Sequence, residues 1–87
     1  MGMLKESESQ QFADRLRGAL ESAGVRASPT LVANAFNLRY QGRSITPHTA
    51  RNWLLGKVMP TQDKLRVLSD WLQVSPDELR FGRAPGK

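Results

Sequence analysis

Between Phe12 and Leu79, apolar residues return every three or four positions, and no stretch alternates in the manner of a half-buried strand. Phe12, Leu16 and Leu20, with Ala13, Ala19 and Ala23 beside them, predict an amphipathic helix over about 9–23 that Gly24 stops. Ser7 and Gln10 have the spacing of a capping box at its start. "SPTLVANAFN" predicts a second helix: Ser28 caps it, Pro29 takes the first position, and Leu31 with Ala35 and Val32 with Phe36 form the inward stripe. The stripe fades near Asn37 or Leu38. "LRYQGRS", 38–44, is polar, basic and glycine-containing, and reads as a loop with a helical overhang at its start. In "ITPHTARNWLLGK" Thr46 caps, Pro47 starts and Gly56 ends a third helix over 47–55. After "KVMP", Thr61 caps a fourth helix over about 62–73, built on Leu65, Leu68 and Leu72 and flanked by Val67 and Trp71. Ser75 and Pro76 open a last short helix, where Asp77 and Glu78 complement the positive helix end and Glu78 completes a Ser-x-x-Glu box.

The expected fold class is all-α: a compact bundle of about five short helices, the second and third joined by a lengthened turn. At 87 residues the chain makes one domain with a modest core. Residues 9–82 are expected to form it, with 1–8 and 83–87 as flexible ends. The absence of cysteine excludes disulfide frameworks, thiolate metal sites and cysteine nucleophiles, and a single histidine cannot build a multi-histidine zinc site. No apolar run approaches the ~20 residues that cross a bilayer. "MGMLKESESQQ" has neither the basic start nor the apolar centre of a signal peptide. A soluble cytoplasmic protein without membrane contact is expected.

Charge changes the picture more. The formal net charge is +5, and it is unevenly spread. From 22 to 62 there is no carboxylate, while Arg26, Arg39, Arg43, Arg51 and Lys57 fall in that stretch. The acids lie outside it: Glu6, Glu8, Asp14 and Glu21 before, and Asp63, Asp70, Asp77 and Glu78 after. Such a field favours polyanions, above all nucleic acid, over a merely solvated basic face. On the third helix Ala50, Trp53 and Leu54 share one side. His48, Thr49, Arg51, Asn52 and Leu55 share the other, so a cation and an amide sit side by side where solvent is expected.

Four segments carry a resemblance. "FADRLRGALESAG", "LVANAF", "ITPHTARNWLLGK" and "MPTQDKLRVLSDWLQVSPDEL" resemble in turn the four helical blocks of the lambda-repressor-like family of bacterial and phage regulators, the Cro/C1 or XRE type, over Phe12 to Phe81. The third and fourth blocks together make the match fairly specific. Two departures are visible. The family's tight Gly-Val-Ser turn is here replaced by the segment 38–44, with Asn37 where glycine is usual; asparagine also tolerates the left-handed conformation. Pro47 stands where the family often has Gln.

The resemblance implies a helix-turn-helix whose third helix lies in the major groove of double-stranded DNA, its N-terminal half at the base edges. It makes His48, Thr49, Arg51 and Asn52 the candidate base contacts. Arg can bridge O6 and N7 of guanine, and Asn can bridge N6 and N7 of adenine. His48 can donate to guanine or phosphate, and Thr49 can offer its methyl to thymine or its hydroxyl to phosphate. Candidate phosphate contacts are Ser28 and Thr30 at the start of the second helix, Lys57, and Arg39 and Arg43 in the long turn, with Tyr40 and Gln41 beside them. If ~5 cations engage per subunit, the log–log salt slope is about −4 to −5. Each polar residue also has a plainer role open to it, as a solvated surface side chain. Trp53, Trp71, Phe12, Phe36 and Leu65 are expected in the core.

Family members usually bind as dimers, and Leu79 and Phe81 are candidates to pair two copies, or else to close the core over the first helix. The main alternative is a protein-interaction or antitoxin-like helical module with secondary DNA binding. Non-specific or RNA binding is disfavoured by the scarcity of exposed aromatic platforms. An enzyme is not expected: the basic region holds no paired carboxylates, and no nucleophile–base pair or glycine-rich phosphate loop is visible. No cofactor, metal or small-molecule ligand is expected.

Overall fold

A computed structural model describes residues 8–81. Five helices follow one another: α1 (Glu8–Ser22), α2 (Pro29–Arg39), α3 (Pro47–Leu55), α4 (Gln62–Leu72) and α5 (Pro76–Phe81). No strand occurs among the described residues, so the all-α bundle holds. Of the expected flexible ends, all but Glu8 lies outside the described residues, as does the Ser7 half of the capping box. Glu8 is already helical. Among the described residues no helix is long and apolar enough to cross a membrane.

The helix ends follow the local chemistry of the chain. Ser28, Thr46 and Ser75 accept from the backbone N–H of Leu31, Thr49 and Glu78, satisfying first-turn donors that have no partner within the helix. Thr61 departs from expectation. It occupies the cap position of α4, yet its oxygen accepts no first-turn N–H; its hydroxyl donates to the Asp63 carboxylate, and Lys64 Nζ donates to the same oxygen at 3.4 Å. At the other ends the chain turns left-handed, at Gly24 (φ 75°), Gly56 (φ 78°) and Gln73 (φ 62°). Each turn is closed by a backbone bond spanning it: Val25 N–H to Leu20 C=O, Lys57 N–H to Asn52 C=O, and Val74 N–H to Ser69 C=O.

The core joins all five helices. Phe12, Leu16 and Leu20 of α1 meet Val32 and Phe36 of α2, Ala50 and Trp53 of α3, Leu65 and Leu68 of α4, and Leu79 of α5. Phe36 sets its ring edge-to-face against Trp53 at 5.3 Å between centroids. Ala50 is fully buried and lets α2 and α3 pack closely. One expected inward residue is not inward. The buried stripe of α2 is Val32, Ala33 and Phe36, and Leu31 is 47 % exposed. The helix is rotated to aim that stripe at α3 and α4, which leaves Leu31 at its flank. Leu79 takes the second of its two expected roles: at 2 % exposure it closes the core and is not free to pair two copies. The side chain of Phe81 lies outside the described residues.

α1 fixes the far end of α3. Ser9 Oγ donates to the carbonyl of Gly56 at 2.8 Å, and an Arg17 guanidinium nitrogen donates to the carbonyl of Leu54. Two carbonyls left over at the end of α3 are thereby satisfied by side chains of α1. The approach is close: a Cβ at Gly56 would lie 2.8 Å from the Cα of Gln10. Arg15 treats α5 in the same way, donating from Nε to the Leu79 carbonyl at 2.8 Å and from Nη2 to that of Arg80.

Two glycines with the same backbone conformation therefore predict different losses. Gly24 has open space around its missing side chain, whereas Gly56 abuts backbone. Gly24→Ala is expected to cost only the left-handed penalty of about 1–2 kcal/mol. Gly56→Ala is expected to cost about 1–3 kcal/mol more, because α1 must move. Urea denaturation of the two variants measures the difference, and equal losses would show that α1 does not bear on Gly56.

Candidate nucleic-acid interface

α3 places its polar residues by helical spacing. His48 lies one turn from both Arg51 and Asn52, and Arg51 one turn from Leu55, so the outward side chains form one contiguous strip. His48 and Arg51 are exposed, and Thr49 and Asn52 are half-buried at the edge of the packed side. On the opposite side Ala50, Trp53 and Leu54 are buried. The four expected base-contact residues are thus brought together on one face. Thr49 is oriented further: its hydroxyl oxygen lies 3.3 Å from that of the cap residue Thr46. Asn52 uses its backbone carbonyl to end the helix. Its side-chain amide makes no hydrogen bond among the described residues.

The remaining candidates separate into two groups. Lys57 is exposed immediately after the left-handed end of α3, and Thr30 is exposed in the first turn of α2, with Ser28 as its half-buried cap. First-turn amides point outward at such an end and favour anions. Arg43 is exposed in the segment before α3. Among the described residues, none of Arg43, Arg51 and Lys57 is paired with a carboxylate. Arg39 is different. Its Nη1 donates to the Ala35 carbonyl at 2.8 Å and its guanidinium lies 5.2 Å over the Trp71 ring. Cation–π attraction and this back-bond hold its guanidinium against Trp71 of α4.

The long turn is tied at several points. Ile45 N–H donates to Asn37 Oδ1 at 2.8 Å, and Asn37 Nδ2 donates to the Ile45 carbonyl at 2.9 Å. Asn37 therefore stays helical and imitates a backbone pairing partner. It does not take the left-handed role expected for the residue at the family's glycine position; Gln73 is the non-glycine residue with positive φ among those described. Ile45 is buried at 8 % exposure. The Tyr40 hydroxyl donates to Asp63 Oδ2 at 2.5 Å, its ring packs on Phe36 at 5.0 Å, and Lys64 Nζ lies 5.2 Å from it. A Cβ at Gly42 would come 2.7 Å from the far end of the Tyr40 ring, so a larger residue there would push the ring aside.

Hydrogen bonds from Thr61 and Tyr40 hold the Asp63 carboxyl down at about 2, and Asp63 in turn pushes the Tyr40 phenol up from its ordinary value. A carboxylate held below its usual 3.8 contributes stability present above that value and lost as pH falls toward 2. The tie is therefore intact throughout the neutral range.

No family model, no curated protein and no solved structure matches this chain significantly. Among the described residues no group of three or more His, Asp or Glu side chains could hold a metal ion.

Sequence reasoning missed three positioning residues: Ser9, Arg17 and Asn37. The first two lie on the polar side of α1, where periodicity carries no information about partners. Asn37 carried a signal that was open to another reading, an amide at a helix end beside a long turn.

Tyr40→Phe isolates one bond. In a carbon-detected NMR titration the Asp63 carboxyl midpoint is expected to rise from about 2 without reaching 3.8, because the Thr61 hydroxyl, the larger cause, remains. An unchanged midpoint would show that Tyr40 does not hold the carboxylate.

Proposed function

We propose that this chain is a sequence-specific double-stranded DNA binder of the lambda-repressor-like helix-turn-helix type, acting in bacterial or phage transcription regulation. The observation that carries the reading is the outward strip of α3. His48, Thr49, Arg51 and Asn52 stand together on a helix whose opposite side is buried, in a stretch of chain without carboxylates. Arg51 supplies the planar fork that guanine accepts, and Asn52 the amide that adenine accepts. Thr49, its hydroxyl beside that of the cap residue Thr46, can offer its methyl to thymine or its hydroxyl to phosphate. Lys57, Ser28 and Thr30 hold backbone phosphates and set the register. With Arg39 engaged by Trp71, Arg26, Arg43, Arg51 and Lys57 remain for DNA, and the expected salt slope becomes about −3 to −4 per subunit.

Two copies on a near-palindrome fit this type of domain. Leu79 serves the core, so any pairing rests on other surfaces. One observation favours the second reading, a protein-interaction or antitoxin-like module. Leu31 and Leu38, two turns apart along one flank of α2, are 47 % and 85 % exposed.

Selection from a random duplex library distinguishes the readings. The wild-type chain is expected to enrich a defined motif, and Arg51→Ala with Asn52→Ala to lose it; each bidentate pair discriminates by about 1–3 kcal/mol. Salt-sensitive binding without a motif, equal in both proteins, would sink base reading by α3.

A further inference from the structure

The segment between α2 and α3 is held more firmly than a connection requires. A bridge of this length needs only its two ends, and Ile45 already anchors one of them in the core. Here the Asn37 amide closes the loop onto Ile45 through two hydrogen bonds, and the Tyr40 hydroxyl fastens its beginning to α4. Gly42 admits the Tyr40 ring against the loop backbone. What these ties leave outward is Gln41, Gly42, Arg43 and Ser44, all exposed. Compact loops fixed by their own side chains on a rigid scaffold commonly carry function.

The position is as informative as the rigidity. Arg43 stands three residues before the Thr46 cap, at the end of α3 that carries His48 and Thr49. The carboxylate in these ties, Asp63, stays ionised, and Lys64 beside it offsets part of its charge. Both its oxygens accept hydroxyl hydrogen bonds, and Lys64 stands beside the same Tyr40 ring.

We propose that the 41–44 turn is a second, preorganised DNA-contact element, in which Arg43 binds a backbone phosphate flanking the base pairs that α3 reads. This rests on the reading of α3 given above. Asn37 and Tyr40 act as positioning residues. They fix the loop before DNA arrives, so its conformational entropy is not lost on binding. The lengthened turn then widens the footprint beyond α3.

The test uses the full chain and the duplex recovered in the selection, with affinity measured over about 50–300 mM NaCl. Arg43→Ala is expected to leave the motif unchanged and to flatten the salt slope by about 0.9. Release of one counterion corresponds to about a fivefold loss of affinity near 0.15 M salt. In an Asn37→Ala background, shown to be folded by its thermal melt, the same change is expected to cost less than about twofold, because the arm is no longer fixed. Tyr40→Phe keeps the ring on Phe36 and Gly42 and serves as the milder loosened background. An unaltered slope in Arg43→Ala, or the same loss in all three backgrounds, would overturn the proposal. A silent Arg43 alongside a motif still lost with Arg51 and Asn52 would sink the arm alone. A slope change with no motif in any protein would sink the reading of α3 itself.

Discussion

α3 can present a fixed strip of side chains only because its last turn is fastened to α1. Gly56 turns the chain left-handed there, and no room exists for a side chain against Gln10. Ser9 and Arg17 then take carbonyls that would otherwise be left without partners. A short helix of nine residues has little stability of its own, so its orientation must come from such tertiary contacts. Trp53 and Ala50 fix its rotation, and the α1 contacts fix its end. Together they determine which way His48, Arg51 and Asn52 face.

The other end of α3 is determined by the long turn. A flexible connection would let the helix start anywhere within a turn. The Asn37–Ile45 pair and the Tyr40–Asp63 bond prevent this, and the Thr46 cap then starts the helix at Pro47. The molecule thus holds α3 from both ends and along its buried side. Rigid presentation is what recognition by hydrogen-bond geometry needs, since a loosely held donor discriminates poorly between bases. On the proposed reading, the basic stretch from 22 to 62 would provide the long-range attraction and the strip the groups able to choose.

Much of this was legible in the chain. Ser-Pro and Thr-Pro pairs mark three helix starts, and glycine marks the ends of α1 and α3, because caps and left-handed turns are local chemistry. The outward strip of α3 followed from helical spacing alone. What periodicity could not convey was which of two flanks a helix buries when both are apolar. Leu31 and Val32 are neighbours in sequence, and only the placement of α3 and α4 decides between them. Nor could it convey long-range polar bonds: Arg17 to Leu54, Tyr40 to Asp63 and Arg39 over Trp71 join residues whose pairing exists only after folding. Thr61 shows the same limit at close range: its side chain bonds Asp63 and Lys64 and makes no cap bond.

The proposed function stands or falls on contact between the outward face of α3 and DNA bases. Its most direct measurement is a two-dimensional NMR titration of the isotope-labelled chain with the selected duplex, following backbone amides, the Asn52 side-chain amide and the Arg51 guanidinium. The largest shifts are expected between Thr46 and Lys57, with Asn52 side-chain and Arg51 Nε resonances showing contacts to base protons. Shifts concentrated instead around Leu31 and Leu38, or absent from the side chains of Arg51 and Asn52, would contradict the proposed function.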